Sequence, residues 1–345
     1  MKKENMRHMG RFAADLRMQT SPQSTEPDTR IDYFTFFSVL ALLFAVLVPL
    51  IMFPKEGADW VEQAKLFITD TFGVFYLLIG VLAVMFVVYI SFSDIGNIKL
   101  GRPEEEVEFK TASWAAMMFC GGIGASILYW GIIEWAYYYQ GPPFNLEPGS
   151  PEAIRWATTY GMFHWGPVAW AIYLLPAIPI AYFAHVRNSP RLKVSQSLMP
   201  LIGEKAVMSN WAKLVDVFFV FGMIGGGATT LGLASPMVTE GLHRLFGTPV
   251  NLWTQLAVLL VTTAIFAFSA FRGLKGGIQL LSNINFYLAL LFLGVVFFAG
   301  PSMFILNTGL ESLGRSLTQM LTMMTWTESM GSFSEHGFQK TTFPS

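Results

Sequence analysis

Gly121, Gly122 and Gly124 fall within four residues, inside the run Cys120-Gly121-Gly122-Ile123-Gly124-Ala125-Ser126. Each glycine weakens a helix by up to about 1 kcal/mol relative to alanine. The run sits inside an apolar stretch long enough to cross a membrane. Irregular backbone at membrane depth is tolerated only where protein covers it or where it lines a cavity. Carbonyls freed at such a break face cations in secondary transporters. The same small residues also suit close packing of helix on helix, so two readings stand here. A second run, Gly225-Gly226-Gly227-Ala228-Thr229-Thr230, has no obvious polar ligand set. It reads as close packing, with threonine hydroxyls bonding back to their own helix.

Aromatic residues supply the second chemistry. Trp165, Trp170 and Tyr173 lie deep within a later apolar stretch. Trp170 and Tyr173 share a helical face, while Trp165, five positions earlier, is offset by about 140° at 3.6 residues per turn. A shared pocket therefore needs side-chain reach or a local irregularity, which His164-Trp165-Gly166-Pro167 offers. Facing rings bind quaternary ammonium groups by cation–π attraction, worth about 2 kcal/mol or more when desolvated. Plain aromatic packing is the alternative. Tyr138 and Tyr139 come at a span end, where such residues form interfacial belts, and are expected to do no more. Glu134 is the only carboxylate in its span's continuous apolar stretch. An intramembrane ionisable group is a functional hypothesis by default, though near the outer end a structural partner or interface role competes with ligand contact. His164 reads as a satisfied core histidine, and Asn283 and Asn285 as residues that bond across helices.

The elements that must position these residues are membrane spans. Of 345 residues, 53% are hydrophobic and 13% charged, with a mean hydropathy of +0.48. A soluble domain carries about 25% charged residues. Seven stretches reach the roughly 20 apolar residues that a hydrocarbon core of about 30 Å requires: 33–53, 71–92, 111–134, 157–186, 217–239, 250–271 and 277–306. Residues 1–30 are polar and read as a cytoplasmic tail. The first apolar run is too long for a signal peptide and no cleavage site follows it. Of the 22 lysines and arginines, 16 lie in one alternate set of flanks and 6 in the other. The positive-inside rule then places the N-terminus in the cytoplasm. After the seventh span, Leu310, Leu313, Leu317, Met320, Leu321 and Met324 form one apolar stripe, with Glu311, Arg315, Ser316 and Gln319 off it. This helix is too polar to span and suits the membrane interface or a seat against the bundle.

Several classes fall away. A net charge of −1 lacks the basic footprint of a nucleic-acid binder. One cysteine excludes a disulfide framework and a cysteine-based zinc site. The five histidines show no metal spacing, and neither a Walker loop nor a G-x-S-x-G elbow occurs. The chain reads as no enzyme and needs no resident cofactor.

From about residue 31 onward the chain resembles the betaine/carnitine/choline transporter family. The resemblance runs through Ala112-Ser113-Trp114, Met117-Met118-Phe119, the first glycine run, Gly131-x-x-Glu134, Phe163-His164-Trp165 and Trp170-Ala171-Ile172-Tyr173. It continues through Leu201-Ile202-Gly203-Glu204-Lys205, Leu231-Gly232-Leu233 and Ser282-Asn283-Ile284-Asn285. It implies an all-α integral membrane protein of leucine-transporter-like fold. Such a fold has two leading helices, then two inverted five-helix repeats with substrate at the midplane. The seven transmembrane helices would be the two leading helices, with their cytoplasmic loop in 31–110, and the first repeat in 111–306. An extracellular amphipathic helix and the chain's end would fill 307–345. By motif position Trp165, Trp170, Tyr173 and Tyr137 correspond to aromatic contacts of a trimethylammonium osmolyte such as glycine betaine. Backbone carbonyls of Cys120 and Ile123 correspond to half of a sodium site, and Gly121, Gly122, Gly124 and Ser126 to the broken helix.

Departures sharpen these expectations. A hydroxyl-bearing pair of a second sodium site appears as Met223 and Gly227. Choline-type members carry aspartate where this chain has Ser126. Sodium-independent carnitine exchangers carry arginine where this chain has Asn285, which favours sodium coupling. The resemblance further implies a multi-pass protein of the inner cell membrane, embedded in a lipid bilayer and forming homo-trimers. Family members continue with a tryptophan-rich eighth helix beyond the point where this chain reads Phe343-Pro344-Ser345. A fragment or truncated polypeptide is therefore expected, with a non-transporting partner of an intact paralogue as the alternative to a sodium-coupled symporter.

Overall fold

The computed structural model describes residues 31–101, 105–122, 126–187, 189 and 192–327. Among them all regular structure is helical. Helix α1, Tyr33–Met52, begins at Asp32, whose carboxylate accepts the Thr35 N–H at 3.4 Å. Such a cap satisfies one of the orphan donors of the first turn. Pro54 has no N–H to continue that helix but suits the first position of the next, and α2 runs Pro54–Phe92. At 39 residues it is about 58 Å long at 1.5 Å per residue. The span expected at 71–92 is thus the end of a longer helix. Lys55, Glu56, Glu62 and Lys65 are good helix formers, and hydropathy registers apolar content rather than helicity.

Helices α3 (Thr111–Gly122) and α4 (Ser126–Gln140) follow, and their axes are bent by 57°. Helix α5 (Pro151–His164) is capped by Ser150, whose hydroxyl accepts the Ala153 N–H at 3.1 Å. Helix α6 (Pro167–Ala181) continues in a wider turn to Val186. Next come α7 (Asn210–Phe246), α8 (Leu252–Phe271), α9 (Gln279–Ala299), α10 (Ser302–Thr318) and α11 (Met320–Thr325). The span expected to reach residue 306 stops at Ala299, because Pro301 cannot donate and disfavours a helical residue before it. The apolar stripe read as one helix is likewise divided, at Gln319. Among the described residues six helices are long and apolar enough to cross a membrane, seven if α3 and α4 make one span. The chain is an all-α integral membrane protein.

Two compact units are present. Among the described residues, the first holds 31–63, 82–101, 105, 170–187, 189 and 192–223; the second holds 64–81, 106–122, 126–169 and 224–327. In the first, Asp32 pairs with Lys193 and, at 3.5 Å, with Lys213. There too, buried Asp216 accepts the Ser195 N–H at 2.9 Å and its hydroxyl at 2.7 Å. In the second, α4, α5 and α10 pack together and α3 packs on α9. Tyr138, Ala157, Tyr160 and Met323 form a buried cluster, flanked by Phe144, Trp156 and Trp326.

The α8–α9 turn depends on two glycines. Gly273 has φ +76°, a left-handed conformation that side chains disfavour. A Cβ at Gly277 would stand 1.9 Å from the Ser269 carbonyl oxygen.

Candidate functional site

The second unit gathers three donors around one carboxylate. Glu134, on α4, is 4% exposed. Its Oε1 accepts the Tyr138 hydroxyl at 2.9 Å and lies 2.5 Å from His164 Nδ1; its Oε2 accepts the Trp165 indole N–H at 2.9 Å. Tyr138 is one turn along the same helix, whereas His164 and Trp165 end α5. In its ionised form the carboxylate has acceptors only, and that form pairs with the His164 tautomer that carries its proton at Nδ1. Buried polar groups are expensive unless bonded in this way.

The chain brings Trp165 there by breaking its helix. Pro167 lacks the N–H that α5 would need to continue. Gly166 instead donates to the Phe163 carbonyl at 3.0 Å. A Cβ at Gly166 would meet the carbonyl oxygens of Met162 and Phe163 at 3.0 Å, so a side chain there would have to push the tight turn open by a few tenths of an ångström. The irregularity read in His164-Trp165-Gly166-Pro167 is present.

The other aromatic candidates have different neighbours. Tyr137, on α4, is 56% exposed and packs on Trp130, with ring centroids 5.9 Å apart. Trp170 and Tyr173 are paired on α6 at 6.2 Å, tilted by 50°, and belong to the first unit. The expected face-sharing of these two holds. Trp165 makes its ring contact with His164, at 5.5 Å.

On the cation side, Cys120, Gly121 and Gly122 form the last turn of α3 and Ser126 begins α4. Ile123 and Gly124 lie outside the described residues. Helix α3 is held to α9 by Cys120 Sγ against the Ser282 carbonyl at 3.6 Å, by Phe119 on Phe286, and by Asn283 donating to the Ser113 hydroxyl at 3.2 Å. Asn283 thus bonds across helices as expected, while Asn285 is exposed.

Two expectations need correction. Tyr138 is no interfacial belt residue: it is buried at 6% exposure, because its hydroxyl has Glu134 to donate to and its ring has Tyr160 to pack on. Gly225, Gly226 and Gly227 have nothing among the described residues within 4 Å of a built Cβ, so no described residue packs closely on them, although Thr229 does bond back to the Gly225 carbonyl at 3.0 Å. The role of Glu134 as a three-donor hub goes beyond what its position in the sequence suggests. Its i, i+4 spacing to Tyr138 is the one local signal; the other partners are 30 and 31 residues away.

Comparison with known proteins adds the following. The model of the BCCT, betaine/carnitine/choline family transporter group matches residues 34–343. The glycine betaine transporter OpuD of Bacillus subtilis is 37% identical over 288 residues, covering 84% of this chain and 56% of that protein. A carnitine transporter of Acinetobacter baumannii is 35% identical over 316 residues, covering 88% of this chain and 55% of that protein. The chain spans about half the length of the curated relatives it matches.

Proposed function

This chain belongs to the betaine/carnitine/choline transporter family, and from that premise we propose that it binds a trimethylammonium compound for transport across the inner cell membrane. The family is one of transporters, not enzymes, so no covalent step is assigned. The observations that support the reading are aromatic side chains on apolar helices, Tyr137 and Trp165 in the second unit and, separately, the Trp170–Tyr173 pair in the first, in a chain whose relatives are named for glycine betaine and carnitine. Both of those molecules are trimethylammonium zwitterions. A permanently charged ammonium cannot be neutralised by proton loss. Aromatic faces attract it without the desolvation that a carboxylate would demand.

Glycine betaine is the substrate favoured, and Ser126 in place of an aspartate argues against choline. Coupling to sodium is proposed through the backbone carbonyls of Cys120 and Ile123. Gly121, Gly122, Gly124 and Ser126 would allow the helix to open there. The 57° bend between α3 and α4 supports such an opening. The protein would act as a homo-trimer with its N-terminus in the cytoplasm.

The test is equilibrium binding of radiolabelled glycine betaine and carnitine to the purified chain in lipid. Sodium is exchanged for potassium at constant ionic strength. Trp165→Ala and Trp170→Ala are each expected to weaken binding by about tenfold or more, the loss of roughly 1.4–2 kcal/mol of cation–π attraction. Binding that neither substitution changes overturns the aromatic contacts proposed for these two residues. Binding indifferent to sodium overturns the coupling.

A further inference from the structure

Glu134 has no part in the transport cycle outlined above, yet it is a buried carboxylate inside a membrane span, where such groups are costly. Both of its oxygens are occupied: Oε1 by Tyr138 and His164, Oε2 by Trp165. The three donors come from within the same compact unit. With its acceptors turned towards protein donors, the carboxylate is poorly placed to salt-bridge a substrate. What it does instead is hold an indole.

We propose that Glu134 is a positioning residue for the substrate's ammonium group, acting through the Trp165 indole N–H. Trp165 stands at the broken end of α5, where the backbone alone leaves its side chain few constraints. The charge-assisted bond at 2.9 Å supplies one. It limits rotation of the ring, so that the same face is offered to each arriving cation. It also draws the N–H proton towards a negative oxygen, which leaves the ring more electron-rich and deepens the negative potential of its face. His164 and Tyr138 anchor the carboxylate in turn. The inference rests on the reading of Trp165 as a cation contact.

Three consequences separate positioning from direct contact. Glu134→Gln keeps an acceptor but loses the charge and turns an amide N–H₂ against a donor. It should raise the Kd for glycine betaine about five- to tenfold, the range for one weakened charged hydrogen bond. Trp165→Phe keeps an aromatic face and removes the N–H. In that background Glu134→Gln should change Kd by less than about twofold, because the bond it acts through is gone. A carboxylate touching the cation directly would instead cost the same factor in both backgrounds, and that outcome overturns the proposal.

A spectroscopic arm needs no Glu134 variant and therefore survives misfolding of one. The ultraviolet resonance Raman difference between the parent chain and Trp165→Phe isolates the Trp165 indole band that reports N–H hydrogen bonding. A strongly bonded indole is expected, and a free or weakly bonded one overturns the proposal. A parent chain that binds no trimethylammonium compound overturns the function proposed above together with this inference. A parent that binds, with multiplicative effects in the double-mutant cycle, overturns the role of Glu134 alone.

Discussion

Asp32 shows how much one side chain does at the entrance to the first helix. It caps α1 through Thr35, pairs with Lys193, and lies 3.5 Å from Lys213. Burial by itself would raise its carboxyl. The Lys193 hydrogen bond, the Thr35 N–H and the charges of Lys193 and Lys213 outweigh that and hold it at about 2, below its ordinary 3.8. A carboxyl depressed on folding stabilises the folded state fully above its unfolded value and loses that contribution as pH falls through the folded one. Thermal unfolding of the parent and of Asp32→Asn should therefore differ by a constant amount above about pH 5 and converge as the pH falls from there to about 2. A difference that persists unchanged at pH 2 would remove the ion pairs as its cause. Neither lysine can be replaced from solution by salt as easily as an exposed partner, since both are largely shielded, at 18% and 25% side-chain exposure.

Elements here are decided by where helices stop. Pro54, Pro167 and Pro301 each follow a helix end, and each denies the next hydrogen bond that the helix would need. Pro167→Ala should let α5 grow into α6 and turn Trp165 away from Glu134, weakening ligand affinity about tenfold while total helicity by circular dichroism holds or rises. An unchanged affinity would mean that the break does not set the indole's position. The α8–α9 turn is tighter still: any side chain at Gly277 collides with the Ser269 carbonyl. Gly277→Ala is expected to lower stability by about 1–3 kcal/mol or more, as overpacking does, read as earlier loss of the monodisperse peak on heating in detergent. Helix α10 follows a different rule. It turns its polar side to α5, with Ser312 donating to Thr158 at 2.8 Å and Arg315 donating to Glu152 at 2.6 Å while stacking over Trp156 at 5.1 Å. Its leucines face outward, Leu310 at 72% and Leu317 at 69% exposure. In a soluble protein that orientation would be inverted. Arg315→Ala should loosen α10 by about 1.5–3 kcal/mol, the range for a charged hydrogen bond, seen as faster amide exchange confined to 302–325.

For the whole molecule the decisive quantity is charge across the membrane. Lysines and arginines divide sixteen to six between alternate flanks of the spans, and the proposed orientation follows from that imbalance. Cys120 is the only cysteine, so a Cys120→Ser background is clean for labelling. In that background a cysteine at Glu147, between α4 and α5, should react with an impermeant maleimide added to intact cells. One at Asn97, between α2 and α3, should react only after the membrane is opened. The reverse pattern would invert the orientation and place the amphipathic α10 on the cytoplasmic side.

Span number and membrane class were legible without coordinates because they are sums over many residues. Apolar transfer over about 20 positions tolerates local error. The break before Pro167 was legible for the opposite reason, being wholly local: glycine and proline set backbone conformation wherever they stand. The start of α2 was not, since hydropathy is blind to a polar helix. Nor was the inward side of α10, where apolar residues at helical spacing look alike whether they meet protein or lipid. The gathering of His164 and Trp165 on Glu134 belongs to the tertiary structure alone. A carboxylate has the same letter in water, at an interface or against an indole, and only the packing of α4 on α5 brings it these two partners, 30 and 31 residues distant along the chain.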